Sequence, residues 1–173
     1  MKGLAAPAAA WSEGVTLDLG FEAAALSQAR RLFGLAFSIL GDAAEAEDAV
    51  QESLVLAWRS WDRLRDESAR GAWLTRICVN HCLRRRGLLH RLRLTSVPPS
   101  HAAPPPQDDA PSLIGAAFDR LSARQRAVLT LHYHHGYSLD ESAALMGCRP
   151  GTARSHLARG LATLREELDD VRA

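Results

Sequence analysis

A segment near the end of the chain has the pattern of a turn followed by a helix whose outward face, with Arg154, Ser155 and Arg159, could contact DNA. In GCRPGTARSHLARGLATLR, residues 147–165, Gly147 predicts a turn and Pro150 predicts the first turn of a helix. A short helix, a turn and a longer basic helix are typical of the helix-turn-helix, whose second helix enters the major groove. The side chains predicted to reach bases or phosphates are Arg149, Thr152, Arg154, Ser155, His156 and Arg159. The alternative is a helical hairpin whose arginines are only solvated.

A second row of polar and basic side chains precedes a proline-rich segment. Arg76, Asn80 and Arg84 are four residues apart, so a helix places them on one face. Aromatic side chains beside arginines suit extruded or single-stranded bases, because rings stack on exposed bases. The nearby tryptophans are Trp58, Trp61 and Trp73. Tryptophans at helical spacing are more often core residues, so single-strand binding is one of two hypotheses for this face.

The sequence favours neither catalysis nor a metal or cofactor site. Cys78, His81 and Cys82 are too few ligands for a metal, and buried thiols are the preferred interpretation. The histidines of LHYHHGY, residues 131–137, have no accompanying carboxylate cluster. No Ser–His–Asp arrangement and no glycine-rich phosphate loop is visible in the sequence. We therefore expect a protein that is not an enzyme and that has no cofactor and no metal.

Charge is segregated along a chain whose net charge is only +1. Residues 41–54 hold five acids and no bases, whereas residues 70–93 hold seven arginines and no acids. Residues 149–165 hold four more arginines, again without an acid. Charged patches of opposite sign indicate a protein that binds an acidic polymer through one surface and a basic protein surface through another.

The length of the chain limits the number of domains, and its cysteine count indicates the cellular compartment. The 173 residues have room for one ordinary domain or two small ones. The three cysteines, an odd number, favour a reducing cytosol over a disulfide framework. The start MKGLAAPAAAW lacks the long apolar core of a secretory signal and predicts a flexible tail. No run of about eighteen apolar residues occurs, so we expect a cytoplasmic protein without membrane insertion.

A proline-rich segment divides the chain. Residues 94–112 hold six of the eight prolines and no apolar periodicity, which predicts an extended linker. The halves on both sides have helical periodicity and no β-alternating runs. We predict an all-α protein with a flexible tail at 1–20, a helical domain at 21–93, the linker, and a second helical domain at 113–173.

Helix boundaries are predicted from capping residues. The pairs with the spacing of a capping box are Asp42 and Glu45, Ser122 and Gln125, and Ser138 and Glu141. The inward-facing stripe of the first helix is predicted as Leu26, Ala29, Phe33, Phe37 and Leu40. That of the second is predicted as Val50, Leu54, Ala57, Trp58 and Trp61. A polar loop, RLRDESARG, follows, and a third helix is predicted to begin near Ala72.

Three segments, in this order, resemble the extracytoplasmic-function (ECF) sigma factors of bacteria. They are GDAAEAEDAVQESLVLAWRSWDRL, ARGAWLTRICVNHCLRRR and LSARQRAVLTLHYHHGYSLDESAALMGCRPGTARSHLARGLATLREEL. The match covers residues 21–93 and 113–168. The resemblance implies a transcription initiation factor made of a region 2 helical bundle and a region 4 helix-turn-helix. In this family region 2 recognises the −10 promoter element as a single strand, and region 4 recognises the −35 element as duplex DNA.

Residue roles are implied by position within this resemblance. The segment 46–58 matches the part that docks on the polymerase β′ clamp, and its candidate contacts are Asp48, Gln51, Glu52, Leu54 and Leu56. The loop 63–70 and the helix after it match the parts that open the −10 element and recognise its non-template strand. The residues carried over for this role are Arg65, Asp66, Glu67, Ser68, Trp73, Arg76, Asn80 and Arg84. The implied partners are core RNA polymerase (β′ clamp and β flap), promoter DNA and an anti-sigma factor.

The length of the linker is compatible with this interpretation. Nineteen extended residues span at most about 60–68 Å. A promoter spacing of about seventeen base pairs needs about 58 Å. Joining two weak sites by such a tether raises the effective concentration of the second site to roughly millimolar. Neither half then needs high affinity.

Three positions depart from the family pattern in the second half. Arg149 stands where an N-capping serine is usual, Gly160 lies inside the last helix, and Ser142 replaces an aliphatic core residue. A missing cap and an internal glycine each cost about 1 kcal/mol, so we expect the second domain to be marginally stable when free. The rival interpretation is a dimeric helix-turn-helix regulator without a polymerase-docking role. Such regulators usually carry a sensing domain of alternating strands and helices, whereas this first half is helical.

Overall fold

The computed structural model describes residues 19–93 and 113–170, and every regular element in these ranges is a helix. The α-helices are α1 (Leu19–Leu40), α2 (Ala43–Trp58), α3 (Arg70–Arg93), α4 (Leu113–Asp119), α5 (Ala123–Leu129), α6 (Leu139–Leu145) and α7 (Pro150–Asp170). Short 3-10 turns cover Trp61–Arg63 and Glu67–Ala69, and a π-helical turn covers Thr130–His134. The all-α prediction is confirmed, and the predicted linker lies outside the described residues.

Helices α1, α2 and α3 pack on one another and form the amino lobe, residues 19–93. The buried stripe of α1 is Leu32, Leu35, Ala36 and Ile39, each almost fully buried. The predicted stripe was wrong at Leu26, whose side chain is 72% exposed. Apolar residues occupy most positions of α1 and lie on more than one face of the helix. Two neighbouring stripes therefore compete, and packing against α2 and α3 selects between them.

The junctions of the amino lobe follow local sequence signals. Gly41 ends α1 with a φ of +77°, and the carboxylate of Asp42 accepts a hydrogen bond of 2.9 Å from the Glu45 amide to begin α2. Within the polar loop, Asp66 caps the second 3-10 turn through the Ser68 amide at 2.9 Å. Helix α3 begins at Arg70, two residues before the prediction. Trp58 was predicted to face inward but is 42% exposed, whereas Trp61 is buried against Phe21.

The carboxyl lobe, residues 113–170, is built from α4–α7. Both predicted capping boxes are present, at Ser122 with Gln125 and at Ser138 with Glu141. Ser142 is fully buried, and its hydroxyl donates to the Ser138 carbonyl at 2.8 Å, so this replacement of an aliphatic residue leaves no unpaired donor. A Cβ at Gly160 would lie 3.0 Å from the Leu129 side chain, so glycine at this position allows α7 to lie close to α5.

The two lobes share one contiguous hydrophobic core. Helix α5 packs on α1, and α6 packs on α3. The core cluster runs without a break from Leu35 and Val79 in the amino lobe to Val128 and Leu131 in the carboxyl lobe. The two predicted domains therefore contact each other directly in this structure.

Candidate nucleic-acid and protein-binding faces

The outer face of α7 displays most of the predicted duplex-binding side chains. Thr152, Arg154, Ser155 and Arg159 are exposed, while Ala153 on the opposite face is fully buried against the lobe. Arg149, in the turn before α7, is exposed as well. Helices α6 and α7 pack together across this turn, in which Gly147 has a φ of +63°. The predicted helix-turn-helix is thus present, and its second helix presents its basic face to solvent.

Two residues of this face have intramolecular contacts that limit their freedom. Asp140 of α6 accepts a hydrogen bond of 2.9 Å from the Arg154 guanidinium, and both side chains remain exposed. This ion pair joins the two helices of the motif and restricts the rotamers of Arg154. His156 is half-buried, and burial lowers its pKa, helped by the charges of Arg124 and Arg159. His156 is therefore neutral at pH 7 and acts as a hydrogen-bonding group on a basic face.

The −10 row, defined as Arg76, Asn80 and Arg84 on α3, lies on one face of that helix, as predicted. Arg76 and Arg84 are exposed. Asn80 is half-buried, because its amide nitrogen donates to the backbone carbonyl of Leu145 in the carboxyl lobe at 2.8 Å. The middle of the row is therefore occupied by another part of the same chain, which sequence reasoning did not predict.

The predicted −10 loop is exposed at all four of its candidate residues. These are Arg65, Asp66, Glu67 and Ser68. Hydrogen bonds from Ser68 lower the pKa of the Asp66 carboxyl, so Asp66 is an ionised turn cap. Glu67 accepts a hydrogen bond from Arg70 at 2.7 Å. Asp66 and Glu67 therefore also stabilise the conformation of the loop.

A polar cavity of about 390 Å³ opens beside this loop, between α1 and the start of α3. Its lining includes Gln28, Glu67 and Arg70. The Gln28 amide oxygen and the Arg70 Nε are buried without a hydrogen-bond partner in the structure. The Arg70 guanidinium lies 4.8 Å from the centre of the Trp61 ring. Sequence reasoning missed Gln28, because only the fold brings α1 next to the loop, whereas Arg70 lies at the end of the predicted loop 63–70.

The acidic face of α2 is organised by one arginine. Arg85 of α3 contacts three carboxylates one helical turn apart: Glu45, Asp48 at 3.2 Å and Glu52 at 3.1 Å. The hydrogen bond that Arg85 donates to Glu45 raises the pKa of Arg85 above its usual value, so the guanidinium stays charged. Asp48 and Glu52 still keep more than half of their side chains exposed. Arg85 thus fixes the two predicted docking acids, Asp48 and Glu52, from the α3 side, and their exposed sides remain accessible to a partner.

Apolar side chains continue this face toward the end of α2. Val55, Leu56 and Trp58 are exposed large hydrophobic residues, at 48%, 38% and 42%. The predicted contact Gln51 is exposed too, whereas Leu54 is half-buried and packs against the core. Clustered exposed apolar groups beside charged ones are typical of a protein-binding site. We therefore add Val55 and Trp58 to the candidate protein-binding contacts of α2.

The described residues contain no group of three or more His, Cys, Asp or Glu side chains arranged to hold a metal ion. Cys78 and Cys82 are fully buried in the amino lobe, and the Cys78 thiol donates to the Leu32 carbonyl at 3.8 Å. His132 is bonded through Nδ1 to the carbonyl oxygen of Tyr137 at 2.8 Å. Among the residues that the structure describes, no helix is long and apolar enough to span a membrane.

These faces define a two-lobed helical protein with a basic helix-turn-helix in one lobe and a face of exposed acidic and apolar side chains in the other. Family comparison agrees with both lobes: residues 26–88 match the Sigma-70 region 2 model, and residues 112–164 match the Sigma-70 region 4 model. The chain is 32% identical to the RNA polymerase sigma-E factor of Streptomyces coelicolor, over 84% of this chain and 80% of that protein. It is also 32% identical to the ECF RNA polymerase sigma factor SigL of Mycobacterium tuberculosis, over 81% of this chain and 84% of that protein.

Solved structures show the same relationship. The sigma factor RpoE of Bartonella quintana, in a co-crystal with the anti-sigma factor NepR, superimposes with a TM-score of 0.69 at 31% identity, covering 86% of this chain and 96% of that one. CnrH, in complex with the cytosolic domain of CnrY, has a TM-score of 0.60 at 23% identity and shares the fold. The chain belongs to the ECF RNA polymerase sigma factors, which are transcription initiation factors. The rival assignment to a dimeric regulator is not favoured.

Proposed function

We propose that this chain binds core RNA polymerase through the amino lobe and directs it to promoters by recognising two DNA elements. The observation that carries this proposal is the separation of faces. A half-acidic, half-apolar face on α2 and two basic faces on α3 and α7 occur in the same chain, in the order of sigma regions 2 and 4. This organisation supports cytoplasmic action with the polymerase.

Recognition of the −35 element is assigned to α7. Its exposed side chains Thr152, Arg154, Ser155 and Arg159 suit the major groove, where a guanidinium can contact guanine through two hydrogen bonds. The hydrogen bond to Asp140 restricts the Arg154 side chain in the free chain, so less side-chain entropy is lost when Arg154 binds DNA. Arg149 and the neutral His156 lie at the margin of the contact.

Recognition of the −10 element is assigned to the loop 63–70 and the −10 row. The loop is exposed, and a polar cavity lined in part by Gln28, Glu67 and Arg70 lies beside it. Trp73 lies half-buried beside Trp61, with ring centres 6.1 Å apart, so it supports the loop and can also present an edge to a base. Extruded bases are commonly bound by stacking and by hydrogen bonds to their edges.

Docking on the polymerase is assigned to the face of α2. Asp48, Gln51 and Glu52 provide charge and hydrogen bonds, while Leu56, with Val55 and Trp58, provides apolar area. Leu54 supports the face from within. The proposed domains span 21–93 and 113–173 and are joined by a linker at 94–112. Because α1 begins at Leu19, the tail predicted at 1–20 is shortened to 1–18.

An anti-sigma factor is proposed as the regulator. This is supported by the similarity to RpoE of Bartonella quintana, whose solved structure is a complex with the anti-sigma factor NepR. The β flap of the polymerase is proposed as the second docking site, for the carboxyl lobe.

The proposal is tested by mixing the purified chain with core polymerase, first without DNA and then with a promoter library. We expect a complex without DNA, and run-off transcripts whose start sites share two upstream motifs. Leu56→Asp is expected to abolish the complex, whereas Ala44→Asp, also exposed on α2 but outside the proposed contacts, is the matched control. Core enzyme that neither binds the wild-type chain nor initiates with it would refute the proposal.

A further inference from the structure

Asp140 is the only acid of the helix-turn-helix that lies outside a capping box. Residues 138–165 contain two acids, Asp140 and Glu141. The Glu141 carboxylate completes the capping box of α6, because it accepts from the Ser138 amide at 2.8 Å and from the Ser138 hydroxyl at 2.7 Å. Asp140 lies beside it in the first turn of α6 but accepts its hydrogen bond from Arg154 of α7.

The bond to Asp140 leaves most of the Arg154 guanidinium available. Nη2 of Arg154 donates to Oδ1 of Asp140 at 2.9 Å, and within the described residues Asp140 is the only hydrogen-bond partner of this side chain. A guanidinium has five N–H donors in one plane, and two of them suffice for the paired contact with O6 and N7 of guanine. Asp140 therefore restrains the guanidinium while donors remain for a base.

A carboxylate at this position opposes general attraction to DNA. The other charged side chains of the outer face, Arg149 and Arg159, are basic and exposed. The bond to Arg154 places the Asp140 carboxylate on the same face, where the side chain is 68% exposed. Its negative charge offsets that of Arg154 and repels phosphates, so it lowers affinity for every duplex. Any favourable effect of Asp140 on DNA binding is therefore an effect on the choice between sequences.

The pair of side chains responds differently to a base and to a phosphate. On guanine, Arg154 can keep its bond to Asp140 and donate two further N–H groups. On a phosphate, Arg154 either brings the carboxylate toward a second anion or leaves Asp140 unpaired in a negative field. Adenine, cytosine and thymine do not present two acceptors side by side in the major groove. The geometry thus favours guanine over the other bases and over phosphates.

We propose that Asp140 is a positioning residue that sets the specificity of the outer face of α7: it orients Arg154 toward one guanine and opposes contacts of Arg154 with phosphates. The inference rests on the proposed function and adds to it the base that Arg154 recognises. It also gives a reason for an acid on a basic face, since Asp140 trades affinity for selectivity.

The test measures base preference and nonspecific affinity separately in the full chain. Duplexes randomised at the −35 positions are selected with the wild-type chain, and Arg154→Ala identifies the base whose preference depends on Arg154, expected to be a guanine. We expect Asp140→Ala to reduce this preference by about two- to fivefold, the range of an exposed ion pair. Affinity for an unrelated duplex is expected to rise. Its dependence on salt, as the slope of log K against log salt concentration, is expected to steepen by up to about one, because Arg154 can then contact a phosphate.

Glu141→Gln is the matched control. It removes one negative charge from the neighbouring residue and keeps a side chain that can complete the capping box, as Gln125 does at the start of α5. We expect this variant to raise both affinities slightly and equally, without a change in base preference. In an Arg154→Ala background, Asp140→Ala is expected to leave the remaining base preferences unchanged, because Asp140 acts through Arg154.

Three results would overturn the inference: an unchanged preference in Asp140→Ala, an equal loss of preference in Glu141→Gln, or dependence of a base other than guanine on Arg154. An equal fall in both affinities of Asp140→Ala would also overturn it, because Asp140 would then serve only the stability of α6. If circular dichroism shows a loss of helix in Asp140→Ala, Asp140→Asn keeps the shape of the side chain and one acceptor oxygen, and the same changes are expected of it. A wild-type chain that prefers no −35 sequence would instead refute recognition by α7 in the proposed function.

Discussion

At the scale of single residues, Arg154 is the side chain best placed to discriminate bases. It is exposed on α7 and held by Asp140 at 2.9 Å. We expect Arg154→Ala to weaken binding to the preferred −35 duplex by about 1–3 kcal/mol, because one bidentate base contact is lost. Binding to unrelated duplexes is expected to fall much less. Fluorescence anisotropy with both duplexes measures the two affinities.

A matched control separates base recognition from general charge. Arg165 lies on α7 six residues beyond Arg159 and is exposed, so Arg165→Ala removes the same charge away from the proposed base contacts. We expect this variant to lower both affinities slightly and equally. If Arg154→Ala behaved in the same way, Arg154 would be a phosphate contact and another residue of the face would carry the discrimination.

His135 makes the contact between the two lobes depend on pH. In the structure, burial lowers the pKa of His135 to about 4, with the charge of Arg31 and the neighbouring His134 acting in the same direction. A free histidine has a pKa of about 6.5, so protonation favours separation of the lobes. The stabilisation of the lobe contact by neutral His135 is complete above pH 6.5 and is lost as the pH falls from about 6.5 to about 4.

We therefore expect lobe separation, measured by energy transfer between labels on α2 and α7, to increase on acidification from pH 7 to pH 5. His135→Gln keeps a hydrogen-bonding side chain that does not titrate, and is expected to flatten this response. His134→Gln, on the exposed neighbour, is the control and should preserve it. A response unchanged by His135→Gln would assign the pH dependence to another histidine.

At the scale of the elements, Gly160 shows how packing outweighs helix propensity. Alanine in place of an internal glycine usually stabilises a helix by up to about 1 kcal/mol. At Gly160 a Cβ meets Leu129 at 3.0 Å and Gln125 at 3.3 Å, so a larger side chain must push α7 away from α5. We expect Gly160→Val to lower the free energy of unfolding by about 1–3 kcal/mol, measured by urea denaturation.

Gly151 is the control for this prediction, because it lies in the same helix and a Cβ there has nothing within 4 Å. Gly151→Val is expected to leave the free energy of unfolding unchanged or slightly raised. Equal destabilisation by Gly160→Val and Gly151→Val would show that β-branching in α7, rather than the contact with α5, determines the loss.

The capping boxes at Ser122 and Ser138 were predictable because a capping box depends on residues three apart. The outward face of α7 was predictable for a similar reason, since helical periodicity fixes which side chains share a face. Leu26 was misplaced because periodicity alone could not choose between two adjacent apolar stripes. The bond from Asn80 to Leu145 joins residues 65 apart in sequence, and no local pattern encodes it. Local rules therefore gave the elements and the faces, while the covering of one face came only from the tertiary structure.

At the scale of the whole molecule, the linker sets how far apart the two lobes can act. The lobe contact in the structure needs only that the lobes touch, whereas promoter recognition needs a span of about 58 Å. Deleting eight of the nineteen residues at 94–112 leaves a reach of at most about 40 Å, so the shortened chain is expected to lose transcription from promoters that require both elements. Binding to core polymerase through α2 is expected to persist, because that face lies within one lobe.

Replacement of the same residues by a glycine–serine segment of equal length is the matched control, since it preserves reach and changes stiffness only. We expect this variant to retain most transcription. Transcription by the shortened chain at the wild-type rate would mean that the lobes need not separate by a promoter's length for initiation. Loss by both variants would instead show that the proline-rich sequence itself makes a contact within the polymerase. The reach of the linker, the lobe contact and polymerase binding are thus separable properties of one chain, and this pair of variants measures the first without altering the residues that form the other two.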